Sequence, residues 1–338
     1  MMYVPLNWQR LGILLLICAV LTACGSAPGG QSTTGSNDGA AASNASPAAG
    51  TINAIATTSI IADLVKNVGG EHVNVRTLLT PGTDPHTYTP MPSDVQAIAD
   101  SQIVFENGLG LEAWLEETTE NAGGERPTIA VSNGLTPIEG GEDEHEDEEP
   151  AASAEEHGHD EHGDDPHMWF DVQNTIRYVE NIRDGLKQID AANAGSYDAN
   201  AAAYIEQLKQ LDAEIVKLVE AVPAERRKLI TNHDTFGYFA KRYGFEVVGN
   251  VFEGVSTEQE PSAQQIAQLV KLIEEQQVPA VFTENTVNPR LAEQVADEAG
   301  VNVVTTLYTD ALGEPGSQGA TYIDMMRYDV QQIVEALK

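Results

Sequence analysis

The chain has 338 residues, 52 of them Asp or Glu against 18 Lys or Arg, for a formal charge of −34 at neutral pH. So acidic a body lacks the basic face that nucleic acid requires, which excludes that partner and favours a cation. With two cysteines, Cys18 and Cys24, no thiolate cluster is available, so any metal site must be built from His, Asp and Glu.

The amino end reads as an export signal. Arg10 supplies a minimal positive region, and the apolar run from Leu11 to Val20 is too short to span a bilayer as a helix. Leu21-Thr22-Ala23-Cys24 resembles the lipobox of bacterial lipoproteins, which implies removal of residues 1–23 as a signal peptide and acylation of Cys24. Loss of Arg10 shifts the charge to −35, and loss of Cys18 leaves one mature cysteine, so no disulfide can form within one chain. Residues 24–50 are then a lipidated cysteine and a flexible tether of small and polar residues, with a reach of roughly 25–30 Å.

From Thr51 onward, short β-branched or apolar runs alternate with amphipathic stretches. Strands are predicted at 52–58, 73–79, 103–106 and 128–131. Helices are predicted between them at 60–68, at 93–100 with Ser93 as its cap, and at 111–121. The pattern restarts after Pro223, with strands at 228–231, 246–251, 280–283 and 302–307, helices at 236–243, 261–276 and 289–299, and a closing amphipathic stretch at 322–337. Such alternation predicts an α/β fold of parallel units, here in two lobes at 51–195 and 223–338. Helical signals at 175–188 and 199–222 lie between them, the second with Tyr204, Ile205, Leu208, Leu211, Ile215, Leu218 and Val219 on one stripe. A linking helix is expected over 196–222, with the 24-residue stretch 199–222 about 36 Å long, and it is either a spine along both lobes or a peripheral helix of one.

Between Glu142 and Asp165 there are thirteen acidic residues, no Lys or Arg, and the histidines His145, His157, His159 and His162. Uncompensated negative charge resists packing, so residues 140–164 are expected to be a solvated, disordered loop. Its composition also suits metal, and the two readings are compatible.

Outside that tract the histidines are His72, His86, His167 and His233. His72 has nothing distinctive around it and reads as a surface residue. The other three each precede an aromatic within three residues (Tyr88, Trp169, Phe236). His86 follows the strand ending at Leu79 and His233 the one ending at Thr231, where ligands of open α/β sheets bind. Each alone reads as a solvent-facing or capping residue; together they point to a shared cleft, which His167 joins from the far edge of the acidic loop.

Several motifs carry a resemblance: Gly82-Thr83-Asp84-Pro85-His86-Thr87-Tyr88-Thr89-Pro90, Asp165-Pro166-His167-Met168-Trp169-Phe170-Asp171, Asn232-His233-Asp234-Thr235-Phe236-Gly237-Tyr238, Glu260-Pro261-Ser262, Val281-Phe282-Thr283-Glu284 and Leu307-Tyr308-Thr309-Asp310-Ala311-Leu312-Gly313. In that order they resemble the metal-specific solute-binding proteins of bacterial ABC importers, and within them the ZnuA-type, zinc-uptake branch with its TroA-like fold. The resemblance implies two lobes, each a four-stranded parallel sheet with surrounding helices, joined by one rigid helix. It implies metal held between them by His86, His167 and His233, with Asp310 or water in fourth place and Glu284 in support. It further implies a partner permease with a separate ATPase subunit, a lipid anchor on the membrane's outer or periplasmic side, and a body expected to be monomeric.

Three imidazoles and one oxygen suit tetrahedral Zn2+. The manganese branch of the family typically has Glu where this chain has His233, and His-rich insertions accompany the zinc importers. The loop histidines are thus expected to be auxiliary zinc collectors. The alternatives are a manganese- or iron-specific protein of the same family, a metal-buffering surface lipoprotein or adhesin, and a zinc hydrolase. Against the last, the chain has no His-Glu-x-x-His helix. No phosphate-loop motif is present either, so a non-enzymatic carrier is expected.

Overall fold

A computed structural model describes residues 50–140 and 163–338. Cys24, the tether and the loop histidines His145, His157, His159 and His162 lie outside the described residues. No described helix is long and apolar enough to cross a membrane.

The first half is built on β1 (Ile52–Ala56), β2 (Val73–Thr77), β3 (Ile103–Glu106) and β4 (Thr128–Ala130), paired in parallel in the order β2-β1-β3-β4. Helix α1 (Ser59–Gly69) starts where Thr58 Oγ1 accepts the Ile61 N–H, and buries Ile60, Ile61, Leu64, Val65 and Val68. Gly70 ends it at a φ of 55° that costs a glycine little. Helix α2 (Pro92–Ala99) begins with Pro92 at its first position, where the missing N–H is not needed. Ser93 is therefore inside the helix rather than its cap, and Asp94 instead accepts the Met91 N–H at 2.7 Å. Helix α3 (Leu115–Ala122) starts later than its pattern predicts. Residues 108–110 form a turn with positive φ at Gly108, Leu109 and Gly110. Glu112 is drawn back to that turn, accepting the N–H of Asn107 at 2.9 Å and of Gly108 at 3.2 Å.

Helix α4 (Val172–Ile189), capped by Asp171, lies across the sheet. Gly185 permits the close approach, since a Cβ there would meet Ile129 Cγ1 and Phe105 Cε1 at 3.1 Å. A short turn leads to α5 (Ala194–Val219), 26 residues or about 39 Å. It begins earlier than predicted because Asp190 gathers the Asn193 amide and the Tyr197 hydroxyl, both at 2.7 Å. It ends before Pro223, which disfavours helix in the residue preceding it. Tyr197, Ala201, Tyr204, Leu208, Leu211, Ile215 and Val219 are buried along one side, and each large apolar side chain so removed from water stabilises by roughly 1.5–3 kcal/mol. The helix packs on α1 and α4 and also on α6 (Gly237–Tyr243) and α9 (Tyr322–Leu337), so it borders both halves.

In the second half β5 (Lys228–Thr231) pairs in parallel with β6 (Glu246–Asn250), and β7 (Ala280–Glu284) with β8 (Asn302–Leu307), with β5 against β7. At the carboxyl ends of β5 and β7, side chains join the two pairs: Glu284 N–H donates to Asn232 Oδ1 at 3.0 Å. Helices α7 (Ala263–Gln276) and α8 (Arg290–Ala299) cover this half. The β7–β8 register shifts near Glu284, and Thr306 sits at φ 57°, a bulge that redirects the chain beyond β8.

Candidate metal centre

Four of the five candidate side chains come from a strand's carboxyl end or from the connection that follows it. His86 lies on the β2–α2 connection, His233 two residues after β5, Asp310 three after β8, and Glu284 ends β7. His167 follows the acidic segment, whose ends meet: Glu139 bridges Asp164, and Gly140 N–H donates to Gly163 O at 3.2 Å. Tyr238 of α6 pins this stem, its hydroxyl donating to Asp165 O at 2.7 Å.

The three histidines and Asp310 converge so that one potential ligand atom from each lies within 4.8 Å of the others. Nε2 of His167 is 3.4 Å from Nε2 of His86 and 3.3 Å from Nε2 of His233. Asp310 presents Oδ1 to His167 Nε2 and Oδ2 to His233 Nε2, both at 3.4 Å, and Oδ2 to His86 Nε2 at 3.9 Å. All four side chains are fully buried except that of His86, which is 6% exposed. Asp310 Oδ1 has no hydrogen-bond donor among the described residues, an arrangement costly for a buried carboxylate unless a cation satisfies it.

Carboxylates orient two of the imidazoles from behind. Asp165 Oδ1 lies 2.8 Å from His167 Nδ1 and accepts the His167 N–H at 2.8 Å. Glu284 Oε2 lies 2.6 Å from His233 Nδ1, Oε1 accepts the His233 N–H at 3.0 Å, and Thr309 Oγ1 donates to Oε2 at 3.1 Å. In a neutral ring, a proton on Nδ1 leaves the Nε2 lone pair facing the centre. Burial depresses His86 and His167 well below the ordinary imidazole range, and neighbouring imidazoles depress them further. Burial acts the same way on His233, but the charges of Glu284 and Asp310 outweigh it and push the group up to about 10. Burial raises Asp310 and Asp165 to about 7. One proton therefore sits at His233 near neutrality, where a cation would replace it.

His72 lies elsewhere, at the amino end of β2 and edge-on to Tyr197. Of the three aromatics that follow the histidines, Trp169 stacks edge-on against the His167 ring at 5.3 Å. Tyr88 packs on Trp114 and Phe236 on Phe170. Sequence reasoning assigned no role to Asp165 or Asp84, yet both stand in an Asp-Pro-His tripeptide and both accept the histidine N–H; that repeat was the available signal.

Residues 55–336 match the family described as ZnuA, zinc-uptake complex component A, periplasmic. The chain is 33% identical to the manganese-binding lipoprotein MntA of Halalkalibacterium halodurans, over 96% of this chain and 97% of that one. It is 32% identical to the metal ABC transporter substrate-binding lipoprotein ScbA of Streptococcus cristatus, over 97% and 98%. The solved periplasmic zinc-binding protein TroA of Treponema pallidum superposes with a TM-score of 0.75 at 31% identity, covering 85% of this chain and 99% of that one. With sequence likeness along nearly its whole length and the same fold over its described body, the chain belongs to the ZnuA family.

Proposed function

We propose that this protein captures Zn2+ outside the cytoplasm and hands it to the permease of an ABC importer whose ATPase is a separate subunit, with no catalysis of its own. His86, His167, His233 and Asp310 are the ligands in this reading, Glu284 and Asp165 orient two of them, and lipidated Cys24 tethers the two lobes to the membrane. The family and the relatives' names support a substrate-binding role in metal transport. The observation that carries the choice of zinc is the spacing of the donors. Four donors at about 2.05 Å from a tetrahedral centre are roughly 3.3–3.4 Å apart, in line with the His167 separations from the other two imidazoles, 3.3 and 3.4 Å, and with Asp310 at 3.4 Å from His167 and His233, while Asp310 to His86 is wider at 3.9 Å.

The cargo arrives at a site that already faces it. It displaces the His233 proton, takes three nitrogen lone pairs, and gives the unpartnered Asp310 oxygen a positive neighbour. Water is largely excluded by the burial of all four groups, which strengthens each contact. The long α5 against both halves favours small movements of the cleft loops over a wide hinge. The acidic segment with His145, His157, His159 and His162 would gather zinc weakly beside His167.

A manganese reading is favoured by the names of several relatives, MntA and the streptococcal ScaA and PsaA lipoproteins, which are manganese proteins by description. Zn2+ outbinds Mn2+ at most nitrogen and oxygen sites in vitro, so the two are separated by the metal carried by protein purified from cells together with competition titration of the metal-free protein with Zn2+ and Mn2+, each for wild type and His233→Glu. Zinc preference in wild type that weakens in the variant supports the zinc assignment; tighter Mn2+ binding by the wild type would sink it.

A further inference from the structure

The two Asp-Pro-His turns differ in what the aspartate does beyond accepting the histidine N–H. Asp165 turns back to its own histidine ring. Asp84 reaches away: Oδ1 accepts the His86 N–H at 2.9 Å, while Oδ2 accepts Thr87 Oγ1 at 3.2 Å and Thr257 Oγ1 at 2.5 Å. Thr257 belongs to the β6–α7 connection in the other half of the molecule, 173 positions along the chain. That connection is anchored beside His233, since Phe252 N–H donates to Asn232 O at 2.6 Å and Asp234 N–H to Gly254 O at 3.0 Å. It also leans on the stem of the acidic segment, where a Cβ on Gly140 would meet Val255 Cγ1 at 3.1 Å. A single hydroxyl–carboxylate bond therefore ties the loop that carries His86 to the loop that braces His233.

A separate set of observations marks His86 as the ligand most able to leave. Its side chain alone among the four keeps some exposure, and it is the farthest imidazole from Asp310. No carboxylate oxygen is seen against its Nδ1 among the described residues, in contrast to His167 and His233. Its position depends on the β2–α2 loop, which Asp84 organises and Thr257 holds from across the cleft.

We propose that the Asp84–Thr257 hydrogen bond is the latch of the metal cleft, and that Thr257 is a positioning residue which sets how fast the cargo escapes through His86. The inference rests on the carrier reading above. Breaking the latch frees the His86 loop to swing outward and leaves the other three ligands in place, so release accelerates while one metal is still bound. A hydrogen bond to a half-buried carboxylate corresponds to about a tenfold change in rate.

The test is a chase of the zinc-loaded full chain into excess chelator, followed by stopped flow, for wild type, Thr257→Val and Thr257→Ser. The valine variant should release zinc about tenfold faster with unchanged stoichiometry and association rate, and serine should restore the wild-type rate. In an Asp84→Ala background, Thr257→Val should add nothing further. Release from Thr257→Val at the wild-type rate, failure of serine to rescue, or additive effects of the two substitutions would each overturn the latch. A wild-type chain that takes up no tight zinc would instead overturn the carrier reading itself.

Discussion

Asp165-Pro166-His167 and Asp84-Pro85-His86 begin from the same tripeptide and the same backbone hydrogen bond, yet they make different parts of one site. In the first turn everything around the histidine is buried and fixed. Asn107 Nδ2 donates to Pro166 O at 2.9 Å, Tyr178 holds Asn107 through a 2.6 Å bond, and Asp165 grips the ring. In the second, Trp114 Nε1 donates to Pro85 O at 3.1 Å, but the aspartate is committed to a threonine across the cleft. Local sequence thus sets the turn, and the aspartate's further partner, its own histidine ring or a threonine across the cleft, decides whether it is an anchor or a movable arm.

The largest effect that tests this contrast is removal of either ring. Binding worth roughly 10–16 kcal/mol, shared among four ligands, is about 3 kcal/mol each, or more than a hundredfold. His167→Ala should lose at least that in zinc affinity, measured by competition with a chromophoric chelator, and His86→Ala should lose less. Equal losses would erase the distinction between anchor and arm. Next in size, Asp165→Ala should weaken affinity by about 10–100-fold, the usual cost of removing a carboxylate behind a ligand. If the same variant binds zinc as tightly as wild type, Asp165 does not orient the ring.

The effect that is smallest for each step taken is graded with pH, and it distinguishes the carboxylate-backed His233 from the depressed imidazoles. Its value in the fold, about 10, is raised above the ordinary 6.5. Its proton therefore stabilises the metal-free fold fully below pH 6.5, and that contribution is lost as pH rises through about 10. Zinc competes with the same proton, so affinity should fall about tenfold per unit as pH drops from 10 towards 7. Below about 7 the fall should steepen as Asp310 takes up a proton as well. Isothermal titration in buffers of different ionisation enthalpy should count close to one proton released per zinc near pH 8. A count near zero would mean that His233 is already neutral.

The candidate ligands were legible because they depend on residue type and, for His86 and His233, on placement in the connection after a strand, both of which are local properties. The helix and strand cores were legible for the same reason, from Ile103–Glu106 to Tyr322–Leu337. Boundaries were less so where side chains compete with the pattern. Glu112 folds back on Asn107 and Gly108 and delays α3, and Asp190 starts α5 early. Contacts such as Asp84–Thr257 or Trp169 Nε1 to Thr309 O, 3.1 Å long across 140 positions, leave no periodic trace in the chain. They exist only once both halves are folded against α5.

The four converging side chains are drawn from positions 86, 167, 233 and 310 of a 338-residue chain. A polypeptide emerging amino end first displays His86 and His167 long before Asp310 appears. Fragments clipped before that point lack the last donor however well their first half folds. On the proposed site, retention of the ion would thus report that synthesis had passed Asp310: aborted products and proteolytic remnants that stop short of it would let the ion go.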